Sequence, residues 1–282
     1  MALKRILATT AFCVAFAVLH GVARAQTPSP SPSPAPRSCG SIEAIGTEET
    51  ETKSPCTVFT GKYVLETNYI NTVTSGRSNG ADVEYPQALL RLGTRNPSVN
   101  LEITLPSFER ISSDGTLAAG VTDVAVAAKM KLAESSNAAY GVLTKLTFPS
   151  GAPGITAGNA QFEGDFDWSY DPNERFGISG TVAFMAASEQ NAGAPAQSYF
   201  NFEPSLLANF TLPDRSSYLS AEYIYTSAYS PAVGGYSHYD VAYSRDVSSR
   251  FKFELDYGLS PHIPNGTREQ YVEFGLSFLD KE

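Results

Sequence analysis

Residues 161–170 read Gln161-Phe-Glu-Gly-Asp-Phe-Asp-Trp-Ser-Tyr170, QFEGDFDWSY. Gln161, Glu163, Asp165, Asp167 and Ser169 alternate with Phe162, Gly164, Phe166, Trp168 and Tyr170. A period of two marks a β-strand with one polar and one apolar face. Two folds accept such a strand. A soluble β-sandwich buries the aromatic face and wets the carboxylates. A membrane barrel turns the aromatics to lipid and the carboxylates into its lumen. The strand alone does not choose between them.

The same alternation recurs along the chain from about residue 57. It predicts strands over residues 62–72, 84–93, 99–106, 121–132, 140–148, 161–170, 176–186, 198–210, 218–225, 236–243, 251–259 and 270–278, about twelve in all. The connections discriminate better. Residues 95–97, 135–137, 171–174, 213–215 and 247–249 are tight turns of Asn, Pro, Asp and Ser. Between them fall longer loops at 75–81, 111–119, 149–159, 189–196, 230–235 and 260–267. Regular alternation of long and short connections belongs to an up-and-down barrel in the outer membrane. The predicted fold class is therefore all-β: an antiparallel up-and-down transmembrane β-barrel of about twelve strands. Both ends of such a barrel fall on the periplasmic side. A secreted β-sandwich is the fold alternative. Tyr63, Tyr69, Phe108, Tyr140, Phe148, Tyr170, Phe176, Tyr199, Phe210, Tyr218 and Tyr257 lie near strand ends, where a barrel places its aromatic girdles. The last predicted strand ends at Phe278, but Leu279-Asp-Lys-Glu282 follows it, a departure from a terminal aromatic.

The N-terminus points to export. Lys4 and Arg5 precede an apolar run over residues 6–18, and Ala23-Arg-Ala25 places small residues before a cut at Gln26. That run is shorter than the ~20 apolar residues of a spanning helix. Residues 27–36 read TPSPSPSPAP, an extended low-complexity spacer. The expected organisation is a signal peptide (1–25), a Pro/Ser-rich linker with a Cys-containing segment (26–56) and the barrel (57–282). Loss of Lys4, Arg5 and Arg24 with the leader takes the formal charge from −9 to −12. Nucleic acid is excluded as a partner by that charge. Two cysteines remain after the cut, Cys39 and Cys56, and export favours one disulfide between them. The loop it closes is expected to be an inert staple, with a plug as the alternative.

Gly120-Val-Thr-Asp123, followed by Val-Ala-Val-Ala-Ala-Lys129, and Leu146-Thr-Phe-Pro-Ser-Gly151 in the next strand form a recognisable pair. Together they resemble the outer-membrane barrel family named for the MetA pathway of phenol degradation, a transporter-like family. The resemblance spans roughly residues 57–278. It implies a channel-like outer-membrane protein. Nothing in these residues recognises phenol, and the Pro/Ser spacer and the Cys39/Cys56 segment lie outside the pattern.

The alternation predicts which charges face the lumen: Glu66, Arg91, Asp123, Lys129, Lys131, Lys145, Glu163, Asp165, Asp167, Asp240, Lys252, Glu254 and Asp256. Acids outnumber bases, a balance that favours cations or neutral polar solutes over anions. Of the histidines beyond the leader, His238 shares the inward face with Asp240 and Ser244, and His262 sits in a Pro-rich loop. A lipid-embedded hydrolase needs a Ser, a His and an acid in mutual reach at the lipid face, and His238 points inward. No catalytic residue, metal site or cofactor is expected. The expected function is an outer-membrane channel for passive transport of small solutes, with hydrophobic or aromatic compounds or cations as candidates. The alternative is a non-conducting surface or structural barrel whose outer loops bind ligands. Expected partners are outer-membrane lipid, an unidentified small solute and the barrel-assembly machinery that inserts such proteins.

Overall fold

A computed structural model describes Cys39, Ile45 and residues 52–77, 79–190 and 194–280. The expected leader and the Pro/Ser spacer lie outside the described residues. One antiparallel sheet contains β1 (Tyr63–Gly76), β2 (Gly80–Gly93), β3 (Val99–Leu105), β4 (Phe108–Ser113), β5 (Thr116–Val121), β6 (Val124–Glu134), β7 (Ala138–Phe148), β8 (Gln161–Asn173), β9 (Phe176–Glu189), β10 (Gln197–Thr211), β11 (Ser217–Ser230), β12 (Val233–Asp246), β13 (Phe251–Ser260) and β14 (Thr267–Leu279). β14 returns to β1, with Val64 opposite Leu279 and Gly76 opposite Thr267. The sheet is a closed barrel.

Its circumference is twelve strands, because two wall positions are each split in two. β2 pairs with β3 through residues 88–93 and with β4 through residues 80–85. β3 faces β6, and β4 faces β5. The first split falls at Pro106, which has no N–H to give to the ladder. Ser107 and Thr122 bridge the break: the Ser107 N–H donates to Thr122 Oγ1 at 2.9 Å, and the Thr122 N–H to the Ser107 carbonyl at 2.9 Å.

Residues 111–119, expected as a loop, are instead most of the β4–β5 hairpin. Asp114 (φ 46°) and Gly115 (φ 86°) occupy its tip. An Asp-Gly pair with positive φ at both positions matches the right-handed twist of the flanking strands. Two other expected long loops also shrink. β1 and β2 are joined by residues 77–79, and β11 and β12 by Pro231 and Ala232. Thr72, Val73 and Thr74 still pair with Asp82, Ala81 and Gly80, since β-branched residues hold a ladder. Long connections remain at 149–160, 190–196 and 261–266, all on one rim. Ring closure is thus firmer ground for the barrel than loop length.

The opening strand has its aromatics outside. Phe162 and Phe166 are exposed, while Glu163, Asp165 and Asp167 are buried in the interior. Trp168 lies over Gly180, where a Cβ would stand 2.7 Å from the indole nitrogen. Leu101, Val126, Met130, Leu206, Leu255 and Phe274 continue the exposed apolar band on other strands. A soluble chain does not leave so large a belt in water; it is the lipid-facing surface of a membrane barrel. Tyr63–Phe278–Phe251 and Phe176–Phe210 cluster toward the short-turn rim, and Tyr69–Tyr85–Phe108 toward the other. Tyr218 departs from the expected girdle. It is buried, with its hydroxyl 3.2 Å from the Asp246 carboxylate.

Candidate functional site

The lumen is occupied by the chain itself. Residues 52–59 run inside the wall before β1 begins, and polar side chains on several strands hold them. Thr52 Oγ1 lies 2.5 Å from Ser205 Oγ on β10. The Lys53 N–H donates to Thr181 Oγ1 on β9 at 2.8 Å. The Lys53 ammonium donates to Glu163, and to Asp165 at 2.6 Å. Lys129 donates to the Ser54 carbonyl and lies 3.5 Å from Asp167. Arg91 reaches the Ile45 and Cys56 carbonyls, each at 3.4 Å, and the Glu66 carboxylate at 3.0 Å. Its Nε is 3.7 Å from Glu102. Burial disfavours the Lys53 charge, but Glu163 and Asp165 outweigh it and hold the ammonium well above the ordinary lysine range.

Glycine makes room for this segment at two points. A Cβ on Gly93 would collide with the Phe59 carbonyl at 1.7 Å, and one on Gly141 would press on the Pro55 carbonyl at 3.0 Å. Cys39 and Cys56 are joined, with Cα atoms 5.3 Å apart, and Ile45, Val58, Val64 and Leu279 pack with Phe59 into a small apolar cluster. The expected disulfide therefore exists, but Cys56 belongs to an element that fills the barrel, which is the plug alternative rather than the expected inert staple. Cavities lie on both sides of it. One, of about 140 Å³, reaches the short turn at Ser135; the other, of about 370 Å³, extends to Leu105, Lys145 and Met185. Lys53 borders both.

Of the charges predicted to face inward, Arg91, Lys129, Glu163, Asp165 and Asp167 converge on the segment. Lys145 joins them through Glu163 at 2.5 Å. Asp240, Lys252, Glu254 and Asp256 form a separate group on β12 and β13. Lys131 stands at the short-turn rim, 2.6 Å from Glu134. Asp123 departs from the expectation of a lumen-lining charge. Its carboxylate accepts the N–H groups of Gly151 (2.7 Å) and Ala157 (2.9 Å) and so anchors the 149–160 loop. Gly120 yields space to Ala152, whose Cβ would be 2.2 Å from an added one. The two halves of the family-like motif are thus in contact, and its Gly, Asp and Gly form one loop anchor.

Sequence reasoning missed Lys53, Glu102, Glu222 and Glu273. The last three follow the alternation, next to Leu101, Tyr223 and Phe274 respectively, and were legible by that signal. Lys53 had none, since it lies in no periodic stretch. The pairing of His238 with Ser260 was also missed: Nδ1 is 2.6 Å from Ser260 Oγ, and Asp240 is 3.9 Å from Nε2. A nucleophile must be reachable, and Ser260 is fully buried while the Tyr271 ring stacks on His238 at 5.1 Å. Among the described residues no three His, Cys, Asp or Glu side chains converge as metal ligands.

An outer-membrane channel from Pseudomonas putida F1 has the same fold: it superposes with a TM-score of 0.67 at 14% identity, over 82% of this chain and 100% of that one. The NanC porin follows at 0.49 and 9% identity (75% and 98% covered), and the CymD monoaromatic hydrocarbon channel at 0.44 and 8% (79% and 90% covered). No protein-family model and no curated protein matches the sequence. The superposition on the Pseudomonas putida F1 protein shows a shared β-barrel fold.

Proposed function

We propose that this protein is an outer-membrane channel through which small solutes move passively, by way of a lumen narrowed by residues 52–59. The observation that carries this reading is the pair of cavities, about 140 and 370 Å³, on either side of Lys53 in a closed barrel. Twelve strands leave more interior than the eight whose side chains fill it. The outer-membrane channel fold of the Pseudomonas putida F1 protein supports the same reading. Export by a cleaved leader ending at Ala25, a Pro/Ser-rich linker leading into the Cys-containing segment, and insertion by the barrel-assembly machinery complete it. The channel role assigns no catalytic step to His238 or Ser260. Solutes in keeping with the acidic lumen are cations and neutral polar molecules; hydrophobic or aromatic compounds remain candidates through the family resemblance.

A non-conducting barrel is the second reading, favoured by the buried Arg91, Lys129 and Lys53 contacts that hold the segment in place. Planar-bilayer recording of the purified protein separates the two. Discrete current steps, with a reversal potential displaced toward cation selectivity in a salt gradient, are expected of the channel. Insertion without current would select the closed barrel.

A further inference from the structure

The outer surface of β14, β1, β2, β4 and β5 carries charge of one sign at its long-loop end. Pairing sets Phe274, Tyr69, Tyr85, Phe108 and Val121 in one lipid-facing row. Val272, Asn71, Val83, Arg110 and Ala119 form the next row toward the long-loop rim. Arg268 lies further along β14, directly opposite Ser75. Arg77 follows β1, with its N–H donated to the Gly266 carbonyl at 3.2 Å. All three arginines are exposed, and none of their guanidinium groups makes an ion pair or side-chain hydrogen bond among the described residues. The acids of the same strands turn inward: Glu109 meets Asp82, and Glu84 accepts from Gln87 at 2.8 Å and from Ser107. Asp114 sits beyond the strands at the hairpin tip, where it accepts the Asn79 N–H at 3.2 Å. An arginine facing lipid is costly in mid-membrane and tolerated near the interface. From Phe278 to Arg268, β14 rises about 33 Å along the strand, or roughly 25 Å across the membrane at a tilt of about 40°. That is the height of the apolar band of such a barrel, so Arg268 stands at its outer edge.

We propose that this panel is a docking surface for lipid A, the phosphorylated and multiply acylated disaccharide of the outer leaflet, with Arg110 and Arg268 holding its phosphates and Arg77 beside them. Three features select that occupant. A guanidinium group binds phosphate through two parallel N–H donors, which a lysine does not match. Below the arginines, Tyr69, Val73, Tyr85, Phe108 and Leu117 are exposed and offer a continuous surface to acyl chains. The long-loop rim is the outer side of such a barrel, so the leaflet that meets these arginines is the one built from this lipid. Charge and apolar surface thus lie in the order that a phosphorylated headgroup and its chains require, and the outward faces of these five strands hold no acid to oppose them.

The inference goes beyond the channel reading and does not depend on conduction, since it uses only the outer surface of the barrel. Its test reads bound lipid and needs no current, so a failed docking surface and a failed channel are told apart. The purified full barrel in detergent is titrated with bis-phosphorylated lipid A, and separately with monophosphoryl lipid A and with phosphatidylglycerol, and lipid adducts are counted by native mass spectrometry. A saturable lipid A adduct is expected, with weaker binding of the monophosphoryl form and weaker still of phosphatidylglycerol. Arg110→Gln and Arg268→Gln should each weaken the lipid A adduct roughly fivefold, and the double variant more than tenfold. Arg95→Gln, in the short turn between β2 and β3 on the opposite rim, should leave it unchanged. Heat-modifiable gel migration checks that each variant is folded. Absence of a lipid A adduct on the native protein overturns the proposal. So does an undiminished adduct on the folded double variant, or phosphatidylglycerol binding as tightly as lipid A with the same loss on substitution.

Discussion

Two walls of one lumen treat charge in opposite ways. From β1 through β8, Arg91, Lys129 and Lys145 stand among Glu66, Glu102, Glu163 and Asp167, and Lys53 enters from the inward segment to face Glu163 and Asp165. From β11 to β14, Glu222 lies directly opposite Asp240 and Asp256 opposite Glu273, with Lys252 3.1 Å from Glu254. The first arrangement fixes a segment of chain. The second sets carboxylates directly opposite one another across neighbouring strands. The difference teaches that net lumen charge is a poor guide here, because the placement of the bases decides which half is structural.

The comparison breaks hardest at Arg91. Arg91→Leu strands Glu66 and Glu102 in a buried site and releases two carbonyls of the inward segment. Removal of one partner from a buried ion pair costs about 3–5 kcal/mol, and denaturant unfolding in detergent should register a loss of that order. Lys53→Met comes next and is milder for Glu163, which keeps Lys145; a loss of about 2–4 kcal/mol in the same assay is expected. A substitution on the acidic wall should act in the other direction. Glu222→Gln relieves the direct opposition to Asp240 and should be neutral or stabilising by about 0.2–1 kcal/mol. A clear destabilisation there would erase the contrast between the walls.

The smallest effects are in pH dependence. The raised Lys53 value gives a contribution fully present below the ordinary lysine value of 10.5 and lost only as pH rises through the still higher folded value. Any property set by the docked segment should therefore hold flat between about pH 7 and pH 9 as far as Lys53 is concerned. In the short turn between β10 and β11, Asp214 is held below its ordinary value by the Ser217 hydroxyl at 2.6 Å. Its contribution is present above 3.8 and fades as pH falls through the lower folded value. Asp214→Ala should cost no more than about 0.5 kcal/mol at neutral pH, and less in acid.

The faces of the strands were legible because period-two alternation survives wherever one side meets lipid and the other meets polar interior. QFEGDFDWSY carried that information in full once closure of the ring set its sense. The ends of the strands were harder. Thr72 to Gly76 and the Asp114-Gly115 turn lie beyond the apolar belt, where alternation fades and only turn chemistry and β-branching speak. The break at Pro106 was hidden because Leu105 and Phe108 on either side keep an apolar rhythm. The inward segment was least legible. Lys53 acquires its role from Glu163 and Asp165, more than a hundred residues away, and no local pattern encodes that meeting.

The most direct measurement is the single-channel conductance of the native protein beside Lys53→Met in the same planar bilayer and salt. If residues 52–59 stand in series with the solute path and Lys53 anchors them, the variant should show a clearly larger and noisier current step at unchanged barrel stoichiometry. Identical steps in the two proteins, with the variant folded, would contradict that account and place the path elsewhere.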